Sequence, residues 1–480
     1  MVTSSSVRGI SALLAAASVT LLCWFSRVVF VTAMLSSKTC LAQCPDIPLL
    51  RFEENPAATH AAGCDGVNPF AYVALEDSTQ TYISFGGEIR ERYEHANNRS
   101  FGADPDDPRG TWLQRFGLFA DLHSGDHLRA FVEVHSALEY GRAGGPSPSD
   151  ENKAELQNAF IEARRLFAPN ADIQVRLGRQ ELQLGSGRLV SVRDGPNVRR
   201  SFDGVRVRLE AGVWSLDTIA MRPRKDEQGA FDDPTDRSRA LWGAYATRSF
   251  APQAASGLDL YYLGYRNDAA TFDQGSAGEH RHTLGIRLFG SADPWRWNLE
   301  PMVQFGKYGD ADLRAWTLAS ETSYTWSEQT WGPRLTLSAN VASGDRNPLD
   351  PELQTFNPLY PRGNYFSEDA TLWPLNFYNA HLFLTIHPTP AWALTADYNA
   401  FWRTSDDDGV YGPNGSLLRA GQGSDARFVA TALSITSEWS LNRHVSVTAI
   451  YTHFSPREFL EQTGAAAAID FIELTARLRF

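Results

Sequence analysis

The residues with the clearest chemical potential in this sequence are arginines, which are concentrated between positions 176 and 208. A guanidinium group stays charged at every relevant pH and offers a planar fork of donors that matches a carboxylate. The stretch holds eight arginines against three acids, in a chain whose formal net charge is -12. We therefore interpret it as a local anion-binding feature of an acidic protein. Its arginines are Arg176, Arg179, Arg188, Arg193, Arg199, Arg200, Arg206 and Arg208.

The stretch itself predicts the hairpin that must hold these arginines. Its two ends alternate polar and apolar residues, whereas residues 185–201 are interrupted by Gly, Pro and Ser, which predicts a strand, a long loop and a strand. The same alternation recurs from residue 80 onwards and predicts eighteen strands. Their approximate bounds are 80–95, 111–123, 126–140, 156–167, 171–184, 202–210, 212–222, 238–249, 257–267, 280–290, 295–308, 311–327, 328–343, 377–387, 391–404, 425–440, 442–455 and 468–480.

The connections between these strands alternate in length. Those after even-numbered strands are short, such as Ser124-Gly125, whereas those after odd-numbered strands are mostly long and polar, including residues 95–110 and 344–376. Short turns at one end and long loops at the other are typical of bacterial outer-membrane proteins. We therefore predict an all-β fold, a transmembrane antiparallel β-barrel of about 18 strands with short periplasmic turns and long external loops.

The last strand indicates which residues face the lumen. Ile472 and Leu474 fall on one side and Glu473 and Arg477 on the other, so the apolar side is expected to face lipid and the polar side an aqueous channel. The loop arginines reach this channel only if their loop folds inward. The predicted pore and anion-binding residues are Arg90, Arg92, Arg115, Arg129, Arg176, Arg179, Arg188, Arg193, Arg199, Arg200, Arg206 and Arg208.

A structural role for these arginines stays open, because lumenal arginines of barrels commonly pair with acids on neighbouring strands. Glu88, Asp121, Glu133, Glu162 and Glu473 are placed to act as such partners. Between residues 176 and 208 the acids are outnumbered, which favours contact with an external anion. Many weak, spaced cationic sites would let a polyanion pass from one to the next.

The N-terminus contains an apolar run, residues 9–25, preceded by Arg8. We interpret residues 1–42 as an unusually long secretory signal peptide, with an uncleaved anchor helix as the alternative. Residues 43–79 then form a periplasmic segment, and residues 80–480 the outer-membrane barrel. Cys44 and Cys64 stand in this segment, and an oxidising compartment leaves a disulfide or two free thiols as alternatives.

Several kinds of function find no support in the residues. An acidic exported chain lacks the net positive surface that nucleic acid binding needs. His280 and His282 stand two apart with no third candidate ligand, so we expect no metal site, and we expect no cofactor. No Ser/His/Asp or Cys/His constellation is readable, and we expect no enzymatic activity.

Four segments carry a resemblance to a known family. They are YISFGGEIRERYE at 82–94, LGRQELQLGSGRLVSVRDGPNVRRSFDGVRV at 177–207, TFNPLYPRGNYFSE at 355–368 and DDGVYGPNGSLLR at 407–419. Together they resemble the alginate-export family of outer-membrane β-barrel proteins, from about residue 80 to the C-terminus. The resemblance implies an arginine-lined pore that passes a uronic acid polymer outward, partly gated by loops and a periplasmic turn.

We therefore predict a channel of the bacterial outer membrane that passes an anionic polysaccharide, with export of an alginate-like polyuronate as the case that the resemblance implies. The alternative within transport is a substrate-selective porin for uptake of small organic anions or sugar acids. A barrel-anchored enzyme and an adhesion barrel with a plugged lumen are further alternatives. The expected partners are anionic polysaccharide or small anions, outer-membrane lipid and periplasmic export-complex proteins, but no nucleic acid.

Overall fold

The computed structural model describes the chain from residue 44 onwards, apart from short gaps. The described residues are 44–64, 66, 68–75, 80–104, 109–166, 171–251, 255–363 and 371–480. The predicted signal peptide, residues 1–42, lies outside them. Within these ranges, no helix is both long and apolar enough to cross a membrane.

Eighteen antiparallel strands, all within the described ranges, close into one barrel. The last strand pairs with the first, with Glu88 opposite Arg479, so the barrel sheet has no free edge. The predicted fold class is confirmed. The strands are β1 Tyr82–Ala96, β2 Thr111–Ser124, β3 Leu128–Tyr140, β4 Asn152–Ala163, β5 Asp172–Gln180, β6 Phe202–Ala211, β7 Trp214–Pro223, β8 Arg239–Ala251, β9 Ser256–Phe272, β10 Gly275–Ala292, β11 Trp295–Tyr308, β12 Ala311–Thr325, β13 Arg334–Ala342, β14 Phe377–Thr389, β15 Trp392–Trp402, β16 Phe428–Ser440, β17 Val445–Pro456 and β18 Ile469–Arg479.

Short elements lie before and between the barrel strands. Three helices are α1 Pro56–Ala61, α2 Arg99–Gly102 and α3 Glu458–Thr463, and 3-10 turns are formed by Arg51–Glu53 and Pro413–Gly415 in the described chain. The short strands are Val73–Ala74, Glu352–Leu353, Val410–Tyr411 and Leu417–Arg419. In the two longest connections, the described residues 343–363, 371–376 and 403–427 thus carry little regular structure.

Alternation along each strand separates a lipid face from a lumen face. On β3, Leu128 is 60% exposed and Val132 45% exposed on the outside, whereas Arg129 between them is buried on the inside. On β18, Leu474 is exposed and Glu473 is buried. A slip of one residue would move charged groups into lipid, at about 2–4 kcal/mol for an arginine at the midplane. The register is therefore fixed by this pattern.

Several strand boundaries differ from the prediction by four residues or more. β4 begins four residues before the predicted start at 156, because its first residues are polar and mask the alternation. β9 and β10 extend to a two-residue turn where a loop at 268–279 was expected, since strands beyond the apolar belt need no lipid face. Residues 326–333 form a longer turn than predicted, and β13 accordingly starts at Arg334.

The segment before the barrel folds into its turn end. Cys44 and Cys64 are joined by a disulfide, one of the two outcomes that the sequence leaves open. Arg51 donates hydrogen bonds to the carbonyl oxygens of Gly87, at 2.5 Å, and Phe480, at 2.9 Å. Phe52 packs against Phe131 and Phe160 inside the barrel wall, with ring centroids 5.9 and 5.4 Å away. The segment therefore occupies part of the lumen.

The long external loops also fold inward and fill much of the extracellular half of the lumen. Leu189 and Val190 of one loop, Phe356 and Tyr360 of a second, and Val410 of a third belong to one buried apolar cluster. The backbone N–H of Ser191 donates to the carbonyl oxygen of Tyr360, at 2.9 Å, and that of Tyr360 to Leu189, at 2.8 Å. The barrel is thus narrowed from within by its own loops.

Candidate functional site

The loop between β5 and β6, residues 181–201, is held against the lumen wall by arginines of β1. Arg90 donates to the carbonyl oxygens of Asp194, at 2.7 Å, and Pro196, at 3.2 Å, and to the side-chain oxygen of Asn197, at 3.0 Å. Arg92 donates to the carbonyl oxygen of Gly195, at 2.7 Å. These two predicted pore arginines therefore bind backbone, because a folded-in loop presents carbonyl groups that need donors.

Asp194, at the tip of this loop, is the centre of an ion-pair network. Its carboxylate accepts from Arg115 at 2.5 Å and from Arg477 at 2.7 Å, and lies 3.7 Å from Arg199. Burial alone would raise the pKa of Asp194, but Arg115 and Arg477 hold it well below its ordinary value. Arg199 pairs with Glu181 of the same loop, at 2.8 Å. The network therefore connects β2, through Arg115, and β18, through Arg477, to the inward loop.

Most of the predicted wall arginines face the lumen and are paired with acids, which is the structural alternative left open by the sequence. Four lie on strands and one in the loop, and each has a carboxylate within 3 Å. The pairs are Arg129 with Asp121 at 2.7 Å, Arg176 with Glu162 at 2.6 Å, Arg206 with Asp217 at 2.7 Å, Arg208 with Glu210 at 2.9 Å, and Arg188 with Glu300 at 2.9 Å.

Arg179 has a different position from the other predicted arginines. It shares the outward parity of Leu177 on β5, and its guanidinium forms a two-point contact with Asp203 on β6, at 2.8 and 3.0 Å. Thr235 of the next external loop donates to the same carboxylate, at 2.6 Å. Arg179 therefore braces the extracellular rim from outside the lumen, and we do not include it in the anion pathway.

Arg193 and Arg200 differ again, because no carboxylate of the described residues lies within 4.0 Å of either. Arg193 donates to the side-chain oxygen of Asn414, at 2.6 Å. The guanidinium of Arg200 lies over the ring of Tyr360, 4.9 Å from its centroid. Burial and the neighbouring Arg193 lower the pKa of Arg200 to about 9. These two side chains have positive charge that the fold leaves uncompensated.

Three cavities hold these arginines. A periplasmic vestibule of about 510 Å³ is bordered by Phe52, Arg206 and Arg208. A second cavity of about 710 Å³, here called the central chamber, extends from the short turn at Pro390 to the inward loop at Ser191 and is bordered by Leu49, Arg92 and Arg477. An extracellular chamber of about 510 Å³ is bordered by Arg193, Arg200 and Tyr360. The N-terminal segment lies between the first two, and the contact between Ser191 and Tyr360 lies between the second and third.

Some residues of these cavities were not predicted as site residues. Tyr360 and Asn414 lie in two of the segments that resemble the alginate-export family, but the sequence predicts no role for either residue. Phe52 lies before the barrel. The Pro-rich run around Tyr360 was the available signal, because a loop that is rich in proline and aromatic residues is preorganised to pack. Arg477 was read as lumen-facing on β18, and the structure adds it to the network at Asp194.

A second buried carboxylate, Asp408, ties together two of the inward loops. It accepts hydrogen bonds from the hydroxyls of Thr355, at 2.6 Å, and Tyr411, at 2.7 Å. The backbone N–H groups of Asp345, at 2.9 Å, and Gly409, at 2.7 Å, donate to the same carboxylate. Burial raises the pKa of Asp408 to about 6 against these four bonds.

The raised pKa of Asp408 predicts a pH dependence of the loop assembly. The folded state binds this proton more tightly than the unfolded loop, so its contribution to stability is full below about pH 4 and is lost as pH rises through about 6. As pH rises through that window, we expect hydrogen exchange at residues 403–411 to become faster by up to about tenfold per pH unit, after correction for intrinsic exchange. The Asp408→Asn variant should lose this dependence, and an unchanged dependence would contradict the assignment.

Other chemistry is not supported by side-chain clusters. In the part of the chain that the structure describes, no group of three or more His, Cys, Asp or Glu side chains is arranged to hold a metal ion. His280 and His282 lie on β10, where they pair with Arg266 and Gly264 of β9, respectively. His282 contacts the hydroxyl of Tyr262, at 2.8 Å, which accounts for its position.

The closed eighteen-stranded barrel, its apolar outer belt and its arginine-bearing cavities define an outer-membrane channel protein. The sequence profile described as alginate export matches residues 81–471, so this chain belongs to the alginate-export family. The function predicted from the sequence, an alginate-export channel of the outer membrane, is confirmed at this level. Among curated proteins, no sequence is similar enough to count as a relative.

Solved structures from Pseudomonas aeruginosa share the barrel fold at low sequence identity. OccD3 (OpdP) is 11% identical, with a TM-score of 0.54 over 86% of this chain and 93% of its own. OccK2 (OpdF), in complex with glucuronate, is 13% identical, with a TM-score of 0.54 over 85% and 98%. OccK3 (OpdO) is 13% identical, with a TM-score of 0.54 over 83% and 95%. These similarities support the fold.

Proposed function

We propose that this channel carries an anionic polyuronate outward, and that the arginines of its three cavities form the pathway. The observation that carries the proposal is the distribution of guanidinium groups over the whole length of the lumen. Arg206 and Arg208 border the vestibule, Arg92 and Arg477 the central chamber, and Arg200 the extracellular chamber. A polymer with one carboxylate per sugar would meet cationic groups at every depth.

The acid partners of these arginines suit passage better than tight binding. A guanidinium that already contacts a carboxylate, as Arg206 contacts Asp217, attracts a passing anion less strongly than a bare one. Conduction needs sites that are favourable enough to enter and weak enough to leave. The paired wall arginines meet this need, whereas Arg193 and Arg200 offer stronger sites at the extracellular end.

Uptake of small organic anions or sugar acids is the second candidate. The cavities of about 510 and 710 Å³ are of the size that holds a small molecule. OccK2, which shares the barrel fold, was solved in complex with glucuronate. A monosaccharide acid would cross the narrowed lumen with smaller loop movements than a polymer, and this observation favours the uptake reading.

Both readings concern transport of anions, and neither includes a catalytic step. The apolar outer belt of the barrel contacts the lipid of the outer membrane. Docking of periplasmic export-complex proteins at the turn end stays a prediction.

The experiment is current block in planar bilayers. Oligomers of mannuronate should reduce the single-channel current reversibly, and neutral oligosaccharides of the same length should do so far less. Replacing Arg200, Arg206 and Arg208 together by glutamine should weaken the block by about tenfold or more, because each charge-assisted contact is worth about 1.5–3 kcal/mol.

Chain length separates the two readings. Block that strengthens with oligomer length supports a polymer pathway, since a longer chain reaches several cavities at once. Block that is strongest for the monosaccharide acid supports uptake. Equal block by charged and neutral oligomers would contradict the anion pathway in either direction.

A further inference from the structure

The acidic residues that border the extracellular chamber are each engaged by a cation. Asp226 is bound by Arg224 at 2.8 Å, Glu279 by Arg281 at 2.5 Å, and Asp236 lies 3.8 Å from Arg239. The chamber's remaining charges are Arg193 and Arg200, with exposed Lys225 bound to Glu227. The chamber therefore has an excess of positive charge that comes from two identified side chains.

These two arginines also have unused hydrogen-bond donors. Among the described residues, the buried Nε of Arg193 and the buried Nη1 of Arg200 contact no acceptor. The hydroxyl of Tyr360, which is 5% exposed, likewise has no partner within the described chain. A buried donor without an acceptor costs about 1–3 kcal/mol. Three such donors around one cavity are a cost that a bound anion would remove.

The ring of Tyr360 is not available to stack on a ligand, so its hydroxyl is the group it offers. Phe202 contacts the ring edge to face with centroids 5.1 Å apart, Tyr265 does so at 5.7 Å, and Arg200 lies over a ring face. Because the ring is covered by these neighbours, Tyr360 can contact a ligand only by a hydrogen bond from its hydroxyl. A carboxylate can accept from a hydroxyl and a guanidinium at the same time.

Arg200 and Tyr360 are also fixed in place by backbone contacts. The N–H of Arg200 donates to the carbonyl oxygen of Val192, at 2.8 Å, and that of Tyr360 donates to Leu189, at 2.8 Å. Both acceptors lie in the same inward loop as Arg193. The donors are therefore held by a preformed frame, which lowers the ordering cost of binding.

We propose that Arg193, Arg200 and Tyr360 form a subsite for one carboxylate of a uronate residue at the extracellular end of the channel. The assignment rests on the proposed function, in which the channel carries uronates. It adds a position where the sugar acid pauses on its way across, in contrast to the acid-paired arginines of the vestibule. Burial and the adjacent Arg193 lower the pKa of Arg200, and a bound carboxylate would raise it again.

The test measures glucuronate binding and current block on the full channel. Calorimetric titration of the detergent-solubilised protein gives the dissociation constant, and trimannuronate added from the extracellular side gives the block. Arg193→Gln and Arg200→Gln should each weaken glucuronate binding by about tenfold or more, and Tyr360→Phe by a smaller factor. Arg200→Lys keeps the charge without the planar fork and should recover only part of the affinity.

Arg346→Gln is the matched control, because it removes the same charge from an exposed position on an external loop. It should leave the affinity unchanged. Heat-modifiable gel migration shows whether each variant has folded, and Arg200→Lys keeps the test decisive if a glutamine variant has not.

Unchanged glucuronate affinity in Arg193→Gln and Arg200→Gln would overturn the subsite. If the unmodified channel is still blocked by mannuronate oligomers from the periplasmic side in that case, the proposed function stands without it. An unmodified channel that neither binds glucuronate nor is blocked by mannuronate oligomers would overturn both the subsite and the proposed function.

Discussion

Channels that lack residues 44–64 are expected to conduct several-fold more current than the intact protein. Phe52 packs edge to face against the rings of Phe131 and Phe160 at the periplasmic end, and Arg176 lies over its ring, 4.3 Å from the centroid. The carbonyl oxygen of Leu49 accepts from Arg199, at 3.2 Å. Removing this segment would join the vestibule to the central chamber, and conductance follows the open cross-section.

The disulfide provides a matched variant that keeps every other side chain. Replacing both Cys44 and Cys64 by serine removes the covalent closure of the segment but leaves Phe52 and its apolar contacts in place. We expect this variant to have the intact conductance with more frequent openings to the level of the deletion. Single-channel recording in planar bilayers checks both expectations. A deletion variant with the conductance of the intact protein would show that the segment does not obstruct the channel.

Replacing Asp194 by asparagine is expected to release the inward loop and to widen the central chamber. The change leaves Arg115 and Arg477 without one of their carboxylates, and Arg199 without a near neighbour of opposite charge. Leaving buried charged donors short of an acceptor costs about 1–3 kcal/mol or more. We expect a larger and noisier current, and faster tryptic cleavage within residues 181–201.

The control for this prediction is Asp203→Asn, on the same hairpin. It breaks the ion pair with Arg179 on the outer side of the rim and leaves the lumen network intact. Its current should match that of the unmodified channel. If Asp194→Asn and Asp203→Asn behave alike in both assays, then Asp194 does not hold the loop in the lumen.

The barrel could be predicted from the sequence because its signal is local. Each strand carries its own alternation, as Leu128, Arg129 and Val132 show, and the turns alternate with the loops regardless of what the loops do. The boundaries that differ include those of β4, β9, β10 and β13, where polar residues or the absence of a lipid face remove the pattern. Alternation of polar and apolar residues identifies the part of a strand that faces lipid, and it gives no information on the parts that lie outside the membrane.

The roles of the arginines that hold the inward loop could not be predicted in the same way, because their partners are distant in sequence. Arg90 binds carbonyl groups about a hundred positions away, and Arg477 binds Asp194 across 283 positions. Only the inward fold of residues 181–201 brings these groups together. Arg179 was an exception, since it shares the parity of the lipid-facing Leu177 and its outward position was readable from the strand.

The most direct test of the anion pathway is the reversal potential of the unmodified channel in a planar bilayer between unequal concentrations of potassium chloride. The excess guanidinium charge along the lumen predicts a potential of the sign that chloride permeation gives, and a shift toward zero when Arg193 and Arg200 are replaced by glutamine. A potential of the sign that potassium permeation gives, in the unmodified channel, would contradict the account.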